Sequence, residues 1–308
     1  MTTATAGFLD ATPLLGDPAA LRAQAEQDGL LFFKGLLPRD AVLALRLQFL
    51  TILDQYGLLD REAGVEAGLV NAAAVERIAK ADVTFCGTGV PFDVYASIQR
   101  LEAFHRLAHH PHLLRVFETL FERPFFPHPR NIARIMLPSP FNTPTPPHQD
   151  FLHVQGTTDT WTTWAPIGDV PRALGSLTLI RGSHRNGLMD VKEAEGAGNL
   201  ETWLCGPSFD WVEGDYEAGD AVVFHSYTVH KALPAKIRDR VRLSCDFRYQ
   251  PLEQTVEEKS LRPHCDVLEW EEIYAGWERD DLKYYWHHHD LRYSPWDESI
   301  RWQKDKIC

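Results

Sequence analysis

The sequence predicts a mainly β protein in which a sheet core follows a helical N-terminal region. Residues 1–124 show apolar residues at helical spacing, whereas residues 125–250 contain short runs of threonine, tryptophan, valine and isoleucine, broken by glycine, proline and aspartate. Many short strands of this kind are typical of a sandwich, a jelly roll or a barrel. Residues 251–308 return to mixed helical and aromatic character. No linker divides the chain, so we expect a single domain over residues 1–308.

The N-terminal helices are predicted from their end signals. Asp17 is placed to cap a helix that begins with Pro18 and stops at Gly29. After a short strand at 30–34, apolar residues at helical spacing run over 37–57 and end at a glycine. Further helices are predicted near 72–80, 95–107 and 111–122.

The strands of the core are predicted from β-branched and aromatic runs between turn residues. We expect them at 131–137, 148–155, 159–167, 176–181, 220–224, 228–233 and 240–249.

The composition limits which kinds of binding partner and which cellular compartment are expected. The chain has 308 residues, 44% hydrophobic and 24% charged, which is ordinary for a globular protein. A formal net charge of -12 disfavours a nucleic-acid or anionic-membrane surface, since both need basic patches. No signal peptide and no apolar run of about 18 residues is visible. We therefore expect a soluble cytoplasmic protein.

The cysteines predict neither a disulfide framework nor a zinc site. There are five of them, an odd number, and their spacings are irregular, which favours reduced intracellular thiols. They are Cys86, Cys205, Cys245, Cys265 and Cys308.

The run PPHQDF places His148 and Asp150 two positions apart behind two prolines. Proline and the residue before it favour extended backbone, so the segment enters a strand. Side chains at i and i+2 of a strand share one face, so the imidazole and the carboxylate point into the same space. This pair supplies two candidate metal ligands.

A third ligand is available in GDAVVFHSYTVH, which carries His225 and His230. Two histidines and one carboxylate form the facial triad of non-heme iron(II) oxygenases, which leaves three metal positions open. Arginines follow at Arg240, Arg242 and Arg248. A planar guanidinium would hold the far carboxylate of a dicarboxylate co-substrate bidentately.

HQD, TTWAPIGD, GSLTLIRGSH and GDAVVFHSYTVH followed by RVRLS resemble, in this order, the phytanoyl-CoA dioxygenase-like family of iron(II)/2-oxoglutarate oxygenases. The resemblance covers roughly residues 28–250. It implies a cupin-like double-stranded β-helix, a jelly-roll core with helices packed outside. It also implies iron ligation by His148, Asp150 and His230, with 2-oxoglutarate and O2 as co-substrates.

The co-substrate residues that the resemblance implies are Arg240, Arg242, Ser244, Trp164, Gln149 and Asn131. The family arginine lies ten or eleven residues after the distal histidine and four before a serine. Arg240 fits both counts and ranks first. Arg242 is its rival, because RLS resembles the Arg-x-Ser pair of plant-type relatives. Arg248 is predicted to lie at a strand end outside the site.

The resemblance implies oxidation of a small or medium organic substrate, with 2-oxoglutarate converted to succinate and CO2. Halogenating relatives replace the carboxylate by a small residue, and Asp150 is retained, so hydroxylation is favoured, with desaturation or cyclisation left open. Two alternatives keep the fold. One is a cupin-type oxygenase or isomerase that does not use 2-oxoglutarate, and the other is a non-catalytic binding relative.

The remaining histidines are predicted to be structural or adjacent to the site. These are His225, His184, His153 and the run 287–289. Few basic residues are available for coenzyme A, so we expect a substrate other than an acyl-CoA. The glycine-containing segment 81–95 is predicted to form a lid over the site. The aromatic tail 284–296 is either a cover for the barrel edge or a wall of the substrate pocket.

Overall fold

The computed structural model describes residues 6–205 and 208–301. Within them, helices α1–α8 span Pro18–Asp28, Arg39–Gln55, Ala72–Glu76, Lys80–Val83, Phe92–Gln99, Glu102–Ala108, Pro111–Phe121 and Trp270–Tyr274. Strands β1–β13 span Leu30–Phe33, Phe125–Pro127, Ile132–Met136, Trp161–Pro166, Leu177–Ile180, Val191–Glu193, Leu200–Thr202, Trp211–Val212, Ala221–His225, His230–Ala232, Arg242–Pro251, Thr255–Glu257 and Arg292–Ser294.

The helix end signals act as the sequence predicts. The Asp17 side chain accepts a hydrogen bond from the Ala20 N–H at 3.1 Å, and Gly29 ends α1 in the left-handed conformation, with φ 68°. The helix predicted near 95–107 is two helices, α5 and α6. The ring of His105 on α6 lies 2.8 Å from the carbonyl of Gln99, which satisfies this acceptor at the break.

Two sheets form a jelly-roll core. The larger, antiparallel sheet has the order β1-β9-β4-β11-β2, with β3 paired to the first half of β11. The smaller sheet has the order β10-β5-β8. An apolar cluster joins Phe32, Trp164 and Phe224 of the larger sheet to Leu179 and Val212 of the smaller one. We call the side of the larger sheet that meets this cluster its inner face. The fold class predicted from the sequence is confirmed.

Strand β11 shows how alternation separates the two faces. Leu243, Cys245, Phe247 and Tyr249 belong to the apolar cluster that the helices share with the outer face of the larger sheet. The side chains between them are polar and point to the inner face. They are Arg242, Ser244, Asp246, Arg248 and Gln250, and all five are buried. Buried charged groups need hydrogen-bond or ionic partners, so these side chains indicate a polar site between the two sheets.

The strand predicted over 148–155 is wrong beyond its first residue. His148 forms an isolated antiparallel bridge with His230, with both N–H···O contacts at 3.0 Å. Asp150–Leu152 is instead a 3-10 helix. The reason is local, because the Asp150 carbonyl accepts from the backbone N–H groups of His153 and Val154, each at 2.8 Å. The chain therefore turns directly after the predicted carboxylate ligand.

The prediction that the cysteines are reduced is wrong for Cys86 and Cys265. Cys86 and Cys265 form a disulfide, although 179 positions separate them in the chain. Only the tertiary fold brings these segments together, so spacing along the sequence could not indicate the pair. Cys245 is a buried free thiol, and Cys308 lies outside the described residues. Each helix within 6–205 and 208–301 is too short or too polar to cross a membrane.

Two buried histidines outside the candidate site make stability pH-dependent. Burial lowers the pKa of His105 to about 4 and that of His128 to about 3. Below the unfolded pKa of about 6.5 the unfolded chain binds more protons, so stability falls as the pH drops from there towards the folded values. We expect each histidine to cost about 2 kcal/mol of unfolding free energy at about pH 5.

Urea unfolding at neutral and mildly acidic pH measures this loss. His128→Gln, which retains a donor for the Gln250 side-chain oxygen at 2.8 Å, should show a smaller pH dependence than the wild type. Equal pH dependence in the two proteins would contradict the assignment.

Candidate active site

The structure brings His148, Asp150 and His230 together in the interior. Their ligand atoms lie within 4.8 Å of one another, and all three residues are buried. Nε2 of His148 lies 3.7 Å from Oδ1 of Asp150, and Nε2 of His230 lies 3.6 Å from the same oxygen. One oxygen and two ring nitrogens therefore converge on one point.

Both imidazoles are oriented as metal ligands require. Nδ1 of His148 lies 2.8 Å from the Pro146 carbonyl, and Nδ1 of His230 lies 3.0 Å from the Thr228 carbonyl. A carbonyl only accepts, so each Nδ1 carries the proton and each Nε2 presents its lone pair towards Asp150. Burial lowers the pKa of both rings, that of His148 to about 3, so both are neutral at physiological pH.

The carboxylate is held from its other side. Oδ2 of Asp150 accepts from the Thr162 hydroxyl at 2.5 Å and from Nη2 of Arg248 at 3.1 Å. Burial alone would raise the pKa of Asp150, but Arg248, the two imidazoles and the Thr162 hydroxyl hold it well below its usual range. Oδ1 is left to face the ring nitrogens. Two neutral imidazoles and one ionised carboxylate oxygen form a donor set that fits iron(II).

Arg248 is the main site residue that the sequence analysis misplaced. It is predicted to lie outside the site, yet it is 4% exposed and contacts Asp150. The sequence did contain a signal for it. Arg248 lies an even number of positions after Arg242 and Ser244, and side chains at even offsets on one strand point to the same face. Thr162, two residues before Trp164, was missed for a similar reason.

The structure reverses the order of the two candidate anchoring arginines. The side chain of Arg240 is 45% exposed, and its Nε donates to Asp239 at 3.1 Å. Arg242 is buried, donates from Nη1 to the Ser244 hydroxyl at 2.7 Å, and lines the same pocket as the triad. Burial lowers its pKa to about 10, so it stays charged at neutral pH. Of the two arginines, Arg242 is therefore the better placed to reach a ligand bound at the triad.

Strand pairing explains why Arg240 lies outside. The neighbouring backbone bonds to the segment 68–70, with Val241 N–H to the Gly68 carbonyl and Val70 N–H to the Asp239 carbonyl. Strand β11 pairs with β3 only from Arg242 onwards. The spacing of Arg240 from His230 and Ser244 could not indicate this backbone pairing.

Of the other three predicted co-substrate residues, only Trp164 lines the triad pocket. Gln149 donates to the carbonyls of Gly187 and Tyr227, at 2.8 and 2.7 Å, and so joins two loops on the opposite side. Asn131 lies 3.2 Å from the ring of His105 beneath the helices. Neither Gln149 nor Asn131 lines the triad pocket, so their contact with the co-substrate stays a prediction that this geometry does not favour.

The histidines predicted to be structural have partners away from the triad centre. Nδ1 of His225 accepts from the Tyr227 N–H at 3.0 Å, and Nε2 of His184 lies 3.0 Å from the Glu26 carbonyl. His153 is half-buried, with its ring 5.7 Å from that of His148, so it lies next to a predicted ligand. The run 287–289 joins no metal-binding group in the described part of the chain.

A cavity of about 590 Å³ lies beside the triad pocket and shares Met136 and Thr145 with it. We call it the substrate cavity. Its walls include part of the predicted lid, segments 140–143 and 195–199, and Arg301. The lid is fixed to β3, since Arg134 donates to the Gly87 carbonyl at 2.8 Å. In this structure the predicted lid therefore forms a fixed wall of the substrate cavity. The aromatic tail packs on the core through residues 284–286, so it covers the barrel edge.

Comparison with known proteins decides the family. The model of the family described as phytanoyl-CoA dioxygenase (PhyH) matches residues 25–239. The chain belongs to the phytanoyl-CoA dioxygenase family. Curated relatives include the 1-deoxypentalenic acid 11-beta-hydroxylases of Streptomyces arenae, 25% identical over 264 residues, and of Streptomyces exfoliatus, 26% identical over 266 residues. Each alignment covers 82% of this chain and 87% of the relative.

Solved structures of similar fold include two enzymes of nogalamycin biosynthesis. The alpha-ketoglutarate-dependent epimerase SnoN is 24% identical with a TM-score of 0.51, and the match covers 77% of this chain and 85% of that one. The alpha-ketoglutarate-dependent carbocyclase SnoK is 22% identical with a TM-score of 0.53, with 81% and 89% covered. These similarities support the fold of this phytanoyl-CoA dioxygenase family member.

Family membership, the hydroxylase relatives and the His-Asp-His group together confirm the predicted enzyme class. The chain is a non-heme iron(II) and 2-oxoglutarate-dependent dioxygenase that acts on a small molecule.

Proposed function

We propose that His148, Asp150 and His230 hold the iron, that Arg242 with Ser244 anchors 2-oxoglutarate, and that the reaction is hydroxylation. The observation that carries this assignment is the buried guanidinium of Arg242 in the same pocket as the triad.

The Arg242 guanidinium has a donor without an acceptor, and a carboxylate of a bound dicarboxylate would supply that acceptor. Its Nε is buried and has no hydrogen-bond partner among the described residues, whereas Nη1 is taken by Ser244. Leaving a buried charged donor unpaired is costly, and a carboxylate would pair with it through two parallel N–H···O bonds. The Ser244 hydroxyl accepts from Arg242, so its own hydrogen remains free to donate to the same carboxylate. Trp164 forms the adjacent wall.

The remaining charges of the pocket are arranged around this position. Nε of Arg134 donates to Asp246 at 3.2 Å, which neutralises that carboxylate. Arg248 neutralises Asp150 in the same way. Of the three arginines that line the triad pocket, Arg242 is the one without a carboxylate partner among the described residues, so we assign the incoming dianion to it.

When bound, iron with 2-oxoglutarate and oxygen supplies the oxidation, in which 2-oxoglutarate becomes succinate and CO2 and one oxygen atom enters a C–H bond of the substrate. The chain holds the reactants and limits access of water. The triad pocket is reached past Met136 and Thr145, which stand between it and the substrate cavity. Because Asp150 is retained as the carboxylate ligand, we propose hydroxylation over halogenation.

We further propose a substrate without coenzyme A. Such a ligand carries several phosphates and needs a cluster of basic residues. The lining of the substrate cavity offers two, Lys80 and Arg301, together with Glu195. Arg181, a candidate from the sequence, lies 3.7 Å from Asp210 instead. A small organic acid, as the hydroxylase relatives' name implies for them, is the first candidate.

Purified protein with iron(II), 2-oxoglutarate, oxygen and ascorbate tests this function. We expect succinate to form in proportion to a hydroxylated product when 1-deoxypentalenic acid and related small acids are screened. Product formation without any need for 2-oxoglutarate would overturn the proposal in favour of bare-metal chemistry.

Arg248→Met tests the support of the carboxylate ligand. The substitution removes one of the two donors at Oδ2 of Asp150 and leaves the Thr162 hydroxyl alone to orient the carboxylate, so we expect iron affinity to fall about 10- to 100-fold. Arg130→Met removes a half-buried arginine that donates to the Arg262 carbonyl, and it should leave iron affinity unchanged. Iron titration, with circular dichroism for folding, measures both. Equal iron affinity in Arg248→Met and wild type would show that Arg248 does not position the ligand.

A further inference from the structure

A second cavity, of about 120 Å³, lies on another side of the triad pocket. Its charged lining residues are Arg238, Arg240 and Arg242, and no carboxylate side chain lines it. We call it the arginine pocket. The chain as a whole carries a formal charge of -12, so three cations without a lining anion are a local exception.

The inner end of the arginine pocket meets the iron site. Met136, Ala232 and Arg242 line both cavities. Arg242 is 6% exposed, and its Nε has no partner among the described residues. The proposed anchor thus stands where the two cavities adjoin, with an unsatisfied donor.

The outer end is built by a loop fixed in place. Residues 233–237 bond to the turn before β5, with Leu233 N–H to the Ser176 carbonyl at 2.8 Å and Lys236 N–H to the Ala173 carbonyl at 2.7 Å. Gly175 has φ +89°, and a Cβ there would lie 2.9 Å from the Leu233 carbonyl oxygen. The close approach requires glycine, so the turn and the loop form a defined wall.

The substrate cavity differs in size and charge. It is about 590 Å³, and its charged residues include Glu195 as well as Lys80 and Arg301. It meets the triad pocket at Met136 and Thr145, whereas the arginine pocket meets it at Arg242 and Ala232 as well as Met136. The two cavities also share Met136 and Asn142 as lining residues, but Arg238, Arg240 and Arg242 line the arginine pocket and not the substrate cavity.

We propose that the arginine pocket is the entrance for 2-oxoglutarate and the exit for succinate, separate from the cavity that takes the organic substrate. This inference rests on the proposed function of Arg242. Cations along a low-dielectric cleft attract a dianion and raise its association rate about 10- to 1000-fold. Arg238 and Arg240 capture the dicarboxylate at the surface, and Arg242 receives it at the iron site. The exposed Arg240–Asp239 pair is weak enough to yield to the ligand.

Charge reversal at the mouth tests the entrance. In stopped-flow experiments without oxygen, the iron(II) protein is mixed with 2-oxoglutarate and the visible band of the chelate is followed. We expect Arg238→Glu/Arg240→Glu to lower the association rate constant at least 10-fold at low salt, with an unchanged dissociation rate constant and band. The difference should shrink at about 1 M salt, where the Debye length is about 3 Å.

Arg115→Glu is the matched control, an exposed arginine on α7 that lines none of the cavities described above. It should associate with 2-oxoglutarate like the wild type. Circular dichroism of each variant checks folding, and Arg238→Ala alone should give a smaller loss in the same direction.

Equal association rate constants in the double variant and the Arg115→Glu control would overturn the inference. An altered band or a faster dissociation in the double variant would also overturn it, because the two arginines would then belong to the final binding site. If the wild type gives no band at all, the proposed function itself fails, which is a separate result.

Discussion

Asp150→Ala abolishes succinate formation and lowers iron affinity at least about 100-fold. The substitution removes the anionic donor of the triad, and it leaves Arg248 buried without the carboxylate that it contacts at 3.1 Å. Loss of a group that supports a metal ligand costs about 10- to 100-fold in affinity, so loss of the ligand itself costs at least as much, whereas the uncompensated Arg248 charge costs about 3–5 kcal/mol of folding stability. Iron titration and succinate assays measure the two effects.

Asp220→Asn provides the control for loss of a buried carboxylate. Asp220 is as buried as Asp150, but it lies 3.2 Å from the Lys34 ammonium, away from the triad. We expect this variant to bind iron like the wild type. Undiminished iron binding by folded Asp150→Ala would remove Asp150 from the metal site.

Arg242→Ala weakens 2-oxoglutarate binding about 100-fold, mainly through faster dissociation. Truncating one partner of a buried charge pair costs about 2–5 kcal/mol and acts on the dissociation rate, whereas changing a rim charge acts on association. Arg240→Ala should therefore change the affinity by no more than about threefold, with the change in association. Equilibrium titration of the anaerobic iron(II) protein, with stopped-flow kinetics, separates the two arginines.

Arg242→Lys keeps the charge but loses the planar pair of donors, so we expect it to restore only part of the affinity. A larger loss of affinity in Arg240→Ala than in Arg242→Ala would return the anchoring role to Arg240, as the spacing rule alone suggested.

The metal centre could be predicted from the sequence because it depends on short-range geometry. His148 and Asp150 are two positions apart behind two prolines, and the backbone reaches Asp150 before it turns into the 3-10 helix. His230 begins the short strand β10, which follows the apolar strand β9 after four residues, so its place is also defined locally. The core strands and helix caps follow from the same kinds of signal.

The co-substrate side of the site could not be predicted as fully, because it depends on which backbone pairs with which. Arg240 lies outside since the neighbouring chain bonds to the segment 68–70. Gln149 faces the loops because the residue between two inward ligands points outward. The disulfide joins Cys86 to Cys265, which are 179 positions apart, so no local sequence pattern predicts it. The single-domain division stays a prediction.

The most direct test of the account is to add 2-oxoglutarate to the iron(II) protein without oxygen and record the visible spectrum. If the His-Asp-His group holds iron with open positions and Arg242 holds the far carboxylate, a metal-to-ligand charge-transfer band appears and saturates at one 2-oxoglutarate per iron. A protein that binds iron in the triad but shows no band at saturating 2-oxoglutarate would contradict the account, because the metal would then not chelate the co-substrate.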